Sequence, residues 1–474
     1  MQSNYKNKKM KNVLTLSLAL IFVSSSLNMF SQSENIDAKT LEILRENYKK
    51  NAEKDKAVRN ALSNNDIRSL ALNRDITGKT EHNFKYKVDV KGITDQKSSG
   101  RCWLFTALNI LRPVIIKSEE LSSFEFSTNY LYFYDMLEKS NLFLSLTIQN
   151  SSKSMSDRTV EWLLKNPISD GGVWSSFANL IEKYGVVPKQ IMPETYHSEN
   201  SSWLNQILTR KLREDALILR KMQSDKKSSK DINDKKVEMI SEIYRLLVLF
   251  LGEPPVEFSY RFITKDSKIG EYKTYTPQSF FKTMFPTYNV SDYVMLMNDP
   301  SREYYKMYEI EYDRNTVEGR NWIYLNLPAT ELKKVAILSI KDNTALYASC
   351  DVGKQLNRNE GTLDLNNYDF ESLLGVKFGM NKAERINSFD SGSSHAMLLM
   401  AVDTDNDDNP VKWQFENSWG ASSGYNGYLT FTDEWFTEYM FRIVIDKKYL
   451  DANILKMLDQ KPIMLPPYDP MFAK

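Results

Sequence analysis

The sequence of 474 residues has only two cysteines and three histidines. Cys102 and Cys350 lie far apart, which excludes a disulfide framework and leaves a single bridge possible but unsupported. His82, His197 and His395 show no His-x-x-x-His spacing, and the chain has no Cys-x-x-Cys pair. We therefore expect no zinc or other metal site and no cofactor. Chemistry that depends on an imidazole must use one of these three histidines.

The chain also lacks an excess of charge of either sign. Its 62 Lys and Arg residues and 61 Asp and Glu residues leave a net charge of +1 at pH 7. Such a chain has no bulk electrostatic attraction to nucleic acid or to an anionic membrane. The segment 224–236 is rich in lysine, but its lysines alternate with aspartates and no aromatic residue accompanies them. We predict that it forms an exposed turn between two helices and expect no specific nucleic-acid partner.

Residues 1–31 have the pattern of a secretory signal. Lysines at positions 6, 8, 9 and 11 precede an apolar run at 13–23, and three serines follow. We predict cleavage near Ser31 and export to a periplasmic or extracellular location, which would leave a mature chain of charge −3. The alternative is an N-terminal membrane anchor, because residues 13–30 could nearly span a bilayer. No other stretch is apolar enough to cross a membrane, so we expect no further membrane contact.

Cys102 follows a polar loop that contains Gly100 and begins an apolar run with helical spacing. Leu104, Ala107, Leu108 and Leu111 recur every three or four residues, which predicts a buried helix that starts at Cys102. We expect Pro113 to end or kink this helix. A helix N-terminus lowers the pKa of a thiol and makes it a better nucleophile. Taken alone, however, a lone cysteine is more often a small buried apolar residue.

Strand patterns dominate the C-terminal part, whereas helical stripes fill 203–250. Short apolar or alternating runs predict strands at 335–340, 396–402, 412–415, 428–431 and 442–445. A helical part followed by a sheet is typical of the α+β class. His395 lies at the start of one predicted strand and Asn417 at the end of the next. An asparagine amide can accept a hydrogen bond from one imidazole nitrogen and so fix the tautomer of the other.

Single residues leave other interpretations open, but the set of residues resembles a known family. Gln96 lies six positions before Cys102, and Trp103 directly follows Cys102. The cysteine, histidine and asparagine occur in that order, and the asparagine lies in the segment Asn417-Ser418-Trp419-Gly420. This set of residues resembles the papain-like cysteine peptidases. The segment Gln-Lys-Ser-Ser-Gly-Arg-Cys-Trp is similar to the bleomycin hydrolase and aminopeptidase C branch. Further similar motifs lie at 170–172, 182–188, 350–354, 380–385 and 432–436, so that the resemblance covers about 38–474.

The resemblance implies a Cys102–His395–Asn417 catalytic triad, with Gln96 and the Cys102 backbone N–H in the oxyanion hole. It also implies that Cys350 is buried and not catalytic, and that His82 and His197 are surface residues without a role. The expected substrate-binding residues are Asp170, Gly171, Gly172, Trp419 and Lys474. In the branch the terminal carboxylate of a C-terminal arm holds the free amine of the substrate, which makes the enzyme an exopeptidase. A disordered tail is the alternative for residues 456–474.

His395 follows Cys102 by 293 positions, about twice the spacing of simple papain-like enzymes, and the resemblance therefore implies the branch's helical insertion and its homohexameric ring. We predict an α+β papain-like fold with a helical N-terminal half and an antiparallel β-sheet C-terminal half. The predicted segments are a signal peptide or anchor (1–31), a leader or hook region (32–90), the helical half (91–200), the helical insertion (201–333), the β half (334–455) and the C-terminal arm (456–474).

The predicted function is that of a thiol aminopeptidase of broad specificity, which acts on peptides through an acyl-enzyme on Cys102. Two alternatives stay open at this point. The chain is a papain-like endopeptidase if the arm is displaced, or a non-catalytic ring scaffold or nucleic-acid-binding protein that keeps the fold. The presence of Gln96, Cys102, His395 and Asn417 together argues against a scaffold.

Overall fold

The computed structural model describes residues 35–472. The predicted signal segment 1–31 and Lys474 lie outside the described residues. The described chain divides into two compact units. The smaller unit contains the residues up to Ala71 together with Phe370–Val376, and the larger contains Leu72–Asp369 and the residues from Lys377 onward. No helix within 35–472 is both long and apolar enough to cross a membrane.

The elements are numbered here in chain order. The α-helices are α1 (Ala38–Lys49), α2 (Lys56–Asn64), α3 (Ile67–Ala71), α4 (Cys102–Ser118), α5 (Thr128–Gln149), α6 (Arg158–Lys165), α7 (Trp174–Tyr184), α8 (Tyr196–Glu199), α9 (Ser202–Ser224), α10 (Ser229–Leu251), α11 (Pro277–Met284), α12 (Ala329–Lys341), α13 (Phe370–Leu374), α14 (Lys382–Asn387), α15 (Asp433–Tyr439) and α16 (Ala452–Met457). The β-strands are β1 (Tyr86–Lys87), β2 (Phe258–Tyr260), β3 (Lys273–Tyr275), β4 (Tyr293–Met297), β5 (Lys306–Ile310), β6 (Ile323–Asn326), β7 (Leu346–Cys350), β8 (Leu356–Asn357), β9 (Thr362–Leu363), β10 (His395–Thr404), β11 (Pro410–Glu416), β12 (Tyr428–Thr432), β13 (Met440–Asp446) and β14 (Ile463–Leu465).

Helix α4 is the central helix of the larger unit and begins at Cys102, as the sequence predicts. The apolar side chains at helical spacing on α4 are buried. Pro113 does not end the helix, which continues for five more residues to Ser118. Ile115 and Ile116, beyond the proline, are buried in the core. Their packing therefore outweighs the backbone hydrogen bond that a proline removes.

The main sheet carries the strands predicted in the C-terminal part. Its order is β14-β5-β6-β4-β13-β7-β10-β11-β12-β9-β8, and β1 pairs with β10. Most pairs are antiparallel, but β4 with β6, β5 with β14 and β9 with β12 are parallel. The sheet is therefore mixed and not purely antiparallel. The middle strands β7, β10 and β13 are almost fully buried, and α4 packs against β10.

The prediction of a strand at 335–340 is wrong, because these residues lie in helix α12. Leu332, Val335, Ala336 and Ile340 are buried at helical spacing. A short apolar run does not distinguish a buried strand from a buried helix, and extending the window back to Leu332 reveals the helical period.

Segment 201–333 contains two long helices and then strands that the pattern did not predict. Helices α9 and α10 are joined by a turn at 225–228, and Ser228 caps α10 by accepting from Asp231 N at 3.1 Å. The predicted turn is therefore present but shorter than 224–236. Strands β4, β5 and β6 follow and add to the main sheet beside β13.

Candidate active site

Neighbouring strands bring His395 and Asn417 together. His395 is the first residue of β10, and Asn417 directly follows the last residue of β11. Because the two strands are antiparallel, the start of one lies beside the end of the other. His395 Nε2 and Asn417 Oδ1 are 2.9 Å apart, and the backbone N–H of Ser418 donates to the same Oδ1 at 2.8 Å. An oxygen only accepts, so Nε2 is the protonated ring nitrogen.

The His395 side chain is also hydrogen bonded to the Cys102 side chain. Because Nε2 contacts Asn417, Nδ1 is the nitrogen that remains for the thiol. Burial by itself lowers the pKa of His395, since the charged ring loses contact with water. The charge on Cys102 and the hydrogen bonds to Cys102 and Asn417 outweigh burial and raise the pKa above its ordinary value. The arrangement therefore favours a protonated imidazole beside a thiolate.

The backbone around Cys102 is held by a carboxylate. Asp170 Oδ2 accepts from Gly100 N at 2.6 Å and from Ser201 Oγ. A Cβ atom on Gly100 would clash with the Asp170 carboxylate, so this close approach requires glycine. The contact fixes the loop that leads into α4. Cys102 is half-buried at the N-terminus of the helix, where unpaired backbone N–H groups favour a negative charge.

Gln96 lies on the wall of the same cavity as Cys102 and His395, which has a volume of about 270 Å³. Its Oε1 accepts from Ser418 Oγ at 2.6 Å, and its Nε2 donates to the Ser99 carbonyl at 2.6 Å. The Ser99 bond fixes the orientation of the amide, since a reversed amide would place Oε1 against a carbonyl oxygen, which only accepts. Nε2 carries two N–H groups, so one remains for a group bound in the cavity.

Trp419 covers the His395 ring instead of lining this cavity. The two ring centroids are 4.9 Å apart at an interplanar angle of 31°. The guanidinium of Arg358 lies over the Trp419 ring, 4.8 Å from its centroid. An indole in this position shields the His395–Asn417 hydrogen bond from water, whereas the resemblance implied a substrate-binding role for Trp419.

The predicted glycines Gly171 and Gly172 both line the cavity that contains Cys102 and His395. A Cβ atom on Gly172 would lie 2.6 Å from Trp103 Cε2, so only glycine fits against this indole. The Gly171 carbonyl accepts from Lys139 Nζ at 2.6 Å. Asp170 also borders the cavity, but its carboxylate accepts a hydrogen bond from the loop that precedes Cys102. The fifth predicted substrate-binding residue, Lys474, lies outside the described residues.

The described part of the C-terminal arm runs into a second pocket beside the first. Strand β14 pairs in parallel with β5, and Asp469 forms an ion pair with Arg302. Met471 and Phe472 then line a pocket of about 280 Å³ that also borders Gly171 and Gly172. The Phe472 ring lies edge-on to Trp322, with centroids 4.5 Å apart. The arm is therefore ordered by strand pairing, an ion pair and aromatic packing.

The remaining cysteine and histidines lie elsewhere. Cys350 is fully buried at the end of β7, and burial raises the pKa of its thiol well above the ordinary value. Neither cysteine forms a disulfide. His82 stacks on Tyr425 with centroids 3.7 Å apart, and its Nδ1 lies 2.8 Å from Thr430 Oγ1. His82 and His197 are both half-buried, although we predicted surface positions.

Sequence reasoning missed Arg442 as a site residue. The sequence pattern placed it only in the strand 442–445, yet it lines both the cavity that contains Cys102 and the pocket that contains Phe472. The signal was a single charged residue within an otherwise apolar run that the fold buries. Over residues 35–472, no group of three or more His, Cys, Asp or Glu side chains is arranged to hold a metal ion.

Comparison with known proteins places these features in a family context. The model of the Peptidase C1-like family matches residues 35–472. Human bleomycin hydrolase (Homo sapiens) is 39% identical over 424 residues, which cover 87% of this chain and 93% of the relative. Aminopeptidase C of Lactobacillus delbrueckii subsp. lactis is 39% identical over 395 residues, or 82% of this chain and 88% of the relative. The crystal structure of pepw from Lactobacillus rhamnosis HN001 superposes with a TM-score of 0.88 at 38% identity and covers 93% of this chain and 99% of its own.

Proposed function

Because the chain belongs to the Peptidase C1-like family of cysteine peptidases, we propose that it is a thiol aminopeptidase of broad specificity that works through an acyl-enzyme on Cys102. Membership of this family also confirms the predicted papain-like α+β fold and the bleomycin hydrolase and aminopeptidase C branch. The observation that carries the proposal is the contact chain Cys102–His395–Asn417 on a cavity that Gln96 also lines.

In the first step the Cys102 thiolate attacks the carbonyl carbon of the scissile peptide bond. The negative charge that develops on the carbonyl oxygen is stabilised by the free N–H of Gln96 Nε2 and by the Cys102 backbone N–H. His395 then gives its proton to the leaving amine nitrogen, the C–N bond breaks, and a thioester remains on Cys102. Asn417 keeps the ring in the orientation that allows this transfer.

In the second step His395 acts as a base. It takes a proton from a water molecule, which attacks the thioester carbonyl while the same two N–H groups bind the oxyanion. The C–S bond breaks, the N-terminal residue leaves as a free amino acid, and the proton returns to the thiolate–imidazole pair. No metal or cofactor takes part in either step of the proposal.

Removal of N-terminal residues is supported by the position of the arm. Met471 and Phe472 border the pocket beside the catalytic cavity, two residues before the chain ends. We propose that the terminal carboxylate of Lys474 pairs with the substrate's free ammonium group, which would exclude longer chains on that side. Two of the relatives named above bear the names bleomycin hydrolase and aminopeptidase C.

Location and assembly belong to the same proposal. The lysines and apolar run of residues 1–31 support export to the periplasm or the medium, with cleavage near Ser31. The family resemblance supports a homohexamer. N-terminal sequencing of the mature protein and light scattering test these two statements, and a retained Met1 or a monomeric mass would contradict them.

The activity is tested with fluorogenic amino-acid amides that carry either a free or an acetylated N-terminus, under reducing conditions. We expect cleavage of the free-amine substrates only, and no cleavage by Cys102→Ala or after thiol alkylation. Equal cleavage of acetylated substrates would disprove the aminopeptidase assignment. Turnover that survives alkylation would disprove the thiol mechanism.

A truncation separates the aminopeptidase from the endopeptidase alternative. Deletion of the last four residues removes Met471 and Phe472 together with the terminal carboxylate. We expect the truncated enzyme to accept acetylated and longer substrates, because the pocket beside the cavity is then open. Unchanged specificity would show that the arm does not restrict the substrate.

A further inference from the structure

Arg101 is a fully buried cation that directly precedes Cys102 and helix α4. Its Nη1 donates to Glu194 Oε2 at 2.8 Å, and an ion pair of this kind is what makes a buried charge tolerable. The centre of the guanidinium also lies 5.2 Å from the ring centroid of Phe105 and 5.3 Å from that of Tyr132. Both distances allow a cation–π interaction, so a carboxylate and two rings fix the position of the guanidinium.

The guanidinium holds the hydroxyl of Ser99 in turn. Arg101 Nε donates to Ser99 Oγ at 3.0 Å, and Ser99 Oγ donates to the Gln96 carbonyl at 2.6 Å. A guanidinium only donates and a carbonyl only accepts, so the direction of both hydrogen bonds is fixed. The Ser99 carbonyl accepts from Gln96 Nε2 at 2.6 Å. Two reciprocal hydrogen bonds therefore join Ser99 to Gln96, and Arg101 fixes the serine.

The turn that these bonds close has an unfavourable backbone. Lys97, within the turn, has a φ of 54°, which lies in the left-handed region that residues other than glycine seldom adopt. The Asp95 carboxylate accepts from Lys97 N at 2.8 Å and holds the first half of the turn. The second half is held through Ser99. A turn of this kind keeps its shape only while its surroundings hold it.

The position of Ser99 decides where the free N–H of Gln96 points. The amide group is planar and Nε2 carries two N–H groups, so the bond to the Ser99 carbonyl sets the direction of the second N–H. Ser418 holds the other end of the amide through Oε1. A donor stabilises an oxyanion fully only when it lies about 3 Å from it, and a small displacement of Ser99 would therefore weaken this stabilisation.

We propose that Arg101 is a positioning residue, which holds the oxyanion donor of Gln96 in place through the hydroxyl of Ser99, while Glu194 fixes the guanidinium. This inference rests on the proposed aminopeptidase function, in which Gln96 stabilises the oxyanion. Arg101 is fully buried and does not line the cavity that Gln96 lines, so it acts on the reaction only through other residues. An effect on the oxyanion is an effect on the transition state, so kcat should change and KM should not.

The first test measures kcat and KM on a free-amine Leu amide for the wild type, Arg101→Met and Ser99→Ala. The concentration of intact sites is determined by titration with a Leu chloromethyl ketone, so that misfolded enzyme does not contribute. We expect each variant to lower kcat by about tenfold and to keep KM within about twofold. Ser99→Ala leaves the ion pair of Arg101 with Glu194 intact, so it decides the matter if Arg101→Met does not fold. An unchanged kcat in Ser99→Ala would overturn the proposal.

A double-mutant cycle distinguishes positioning of the amide from general support of the site. Arg101→Met and Ser99→Ala are each combined with Gln96→Ala. We expect either substitution to lower kcat by less than about twofold in the Gln96→Ala background, because no amide remains to be positioned. A further tenfold loss in this background would show that Arg101 and Ser99 do not act through Gln96, and the proposal would be wrong.

The matched control removes an arginine from a different ion pair. Arg320 Nη2 lies 2.9 Å from Glu182 Oε2, and both side chains are exposed. We expect Arg320→Met to keep both kcat and KM within about twofold of the wild type, as for most surface substitutions. A loss of kcat as large as that of Arg101→Met would show that kcat responds to any lost arginine charge, which would contradict a specific role of Arg101.

A structural measurement separates this proposal from the proposed function. Crystal structures of the wild type, Arg101→Met and Ser99→Ala are compared without substrate. We expect the bond from Gln96 Nε2 to the Ser99 carbonyl in the wild type, and a separation beyond about 3.5 Å in both variants. If the wild type cleaves no amide but the Gln96 amide moves in the variants, the aminopeptidase function fails and the positioning by Arg101 stands. If the amide keeps its place in both variants, the positioning by Arg101 fails even where the wild type is active.

Discussion

The start of α4 and the end of β7 each hold one of the two cysteines, and their surroundings differ in almost every respect. Cys102 is half-buried at a helix N-terminus, on a cavity and in contact with His395. Cys350 is fully buried in a middle strand, and its pKa is raised by burial and by the charges of Asp351 and Cys102. One environment favours a thiolate and the other a neutral thiol.

The two cysteines nevertheless belong to one structural arrangement. Cys350 pairs in register with His395 across the β7–β10 ladder, and its carbonyl accepts from Ser394 N at 3.1 Å. The β7 backbone thus helps to set the position of the imidazole that interacts with Cys102. We therefore expect the difference in reactivity to come from the helix terminus and the partner imidazole, because the two cysteines share the same part of the fold.

The strongest test of the comparison between the two cysteines replaces Cys102. We expect Cys102→Ala to lower kcat/KM on a free-amine Leu amide by about 10⁴-fold or more, because the nucleophile is lost. The measurement is steady-state hydrolysis with the wild type as reference. Residual activity above about one per cent would remove Cys102 from the reaction.

Gln96 tests the oxyanion site next to the nucleophile. Gln96→Ala removes one N–H donor from the cavity and should lower kcat by about 10²- to 10³-fold. The matched control is Ser418→Ala, which removes only the hydroxyl that donates to Gln96 Oε1 and should cost far less. If the two variants lose similar activity, Gln96 is an anchor of the loop and not an oxyanion donor.

Asn417 tests the raised pKa of His395. Asn417→Ala removes one hydrogen bond to the ring, so we expect kcat/KM to fall about tenfold. That bond raises the pKa of His395, and activity requires the protonated ring beside the thiolate. The alkaline limb of the pH profile should therefore move to lower pH in the variant. If the alkaline limb of the pH profile stays at the same pH, it does not report the pKa of His395.

Cys350 completes the comparison with the smallest expected effect. Cys350→Ala should leave kcat/KM within twofold and lower the free energy of unfolding by about 1 kcal/mol, through a small cavity in the core. Denaturant unfolding measures the second quantity. Iodoacetamide should label the native protein once, at Cys102. If peptide mapping finds alkylated Cys350 under native conditions, the thiol of Cys350 is accessible to the reagent and this prediction is wrong.

Local patterns were enough to predict the elements that carry Cys102, His395 and Asn417. The apolar spacing after Cys102 predicted α4, and the runs after His395 and before Asn417 predicted β10 and β11. The predictions made at 335–340 and at Pro113 were less successful, because both positions depend on tertiary packing. The run 335–340 belongs to a helix whose buried side begins at Leu332. Helix α4 continues past Pro113 because the residues beyond the proline are packed in the core.

Contacts between distant residues were beyond any local pattern. The Asp170 carboxylate that holds the Gly100 loop and the Trp419 plate over His395 each join segments separated by tens of residues or more. The unsatisfied guanidinium of Arg442 is evident only when burial and cavities are known. The motif resemblance supplied Gln96 and the glycines.

The central claim is that Cys102 carries the acyl group, and trapping that intermediate tests it most directly. The enzyme is mixed with a free-amine amino-acid ester, quenched in acid within the first turnover, and examined by intact-protein and peptide mass spectrometry. The account predicts one added aminoacyl group, located on the peptide that contains Cys102 and absent from Cys102→Ala. An aminoacyl group on any other residue would contradict this claim. Turnover without an adduct, under conditions in which acylation is faster than hydrolysis, would also contradict it.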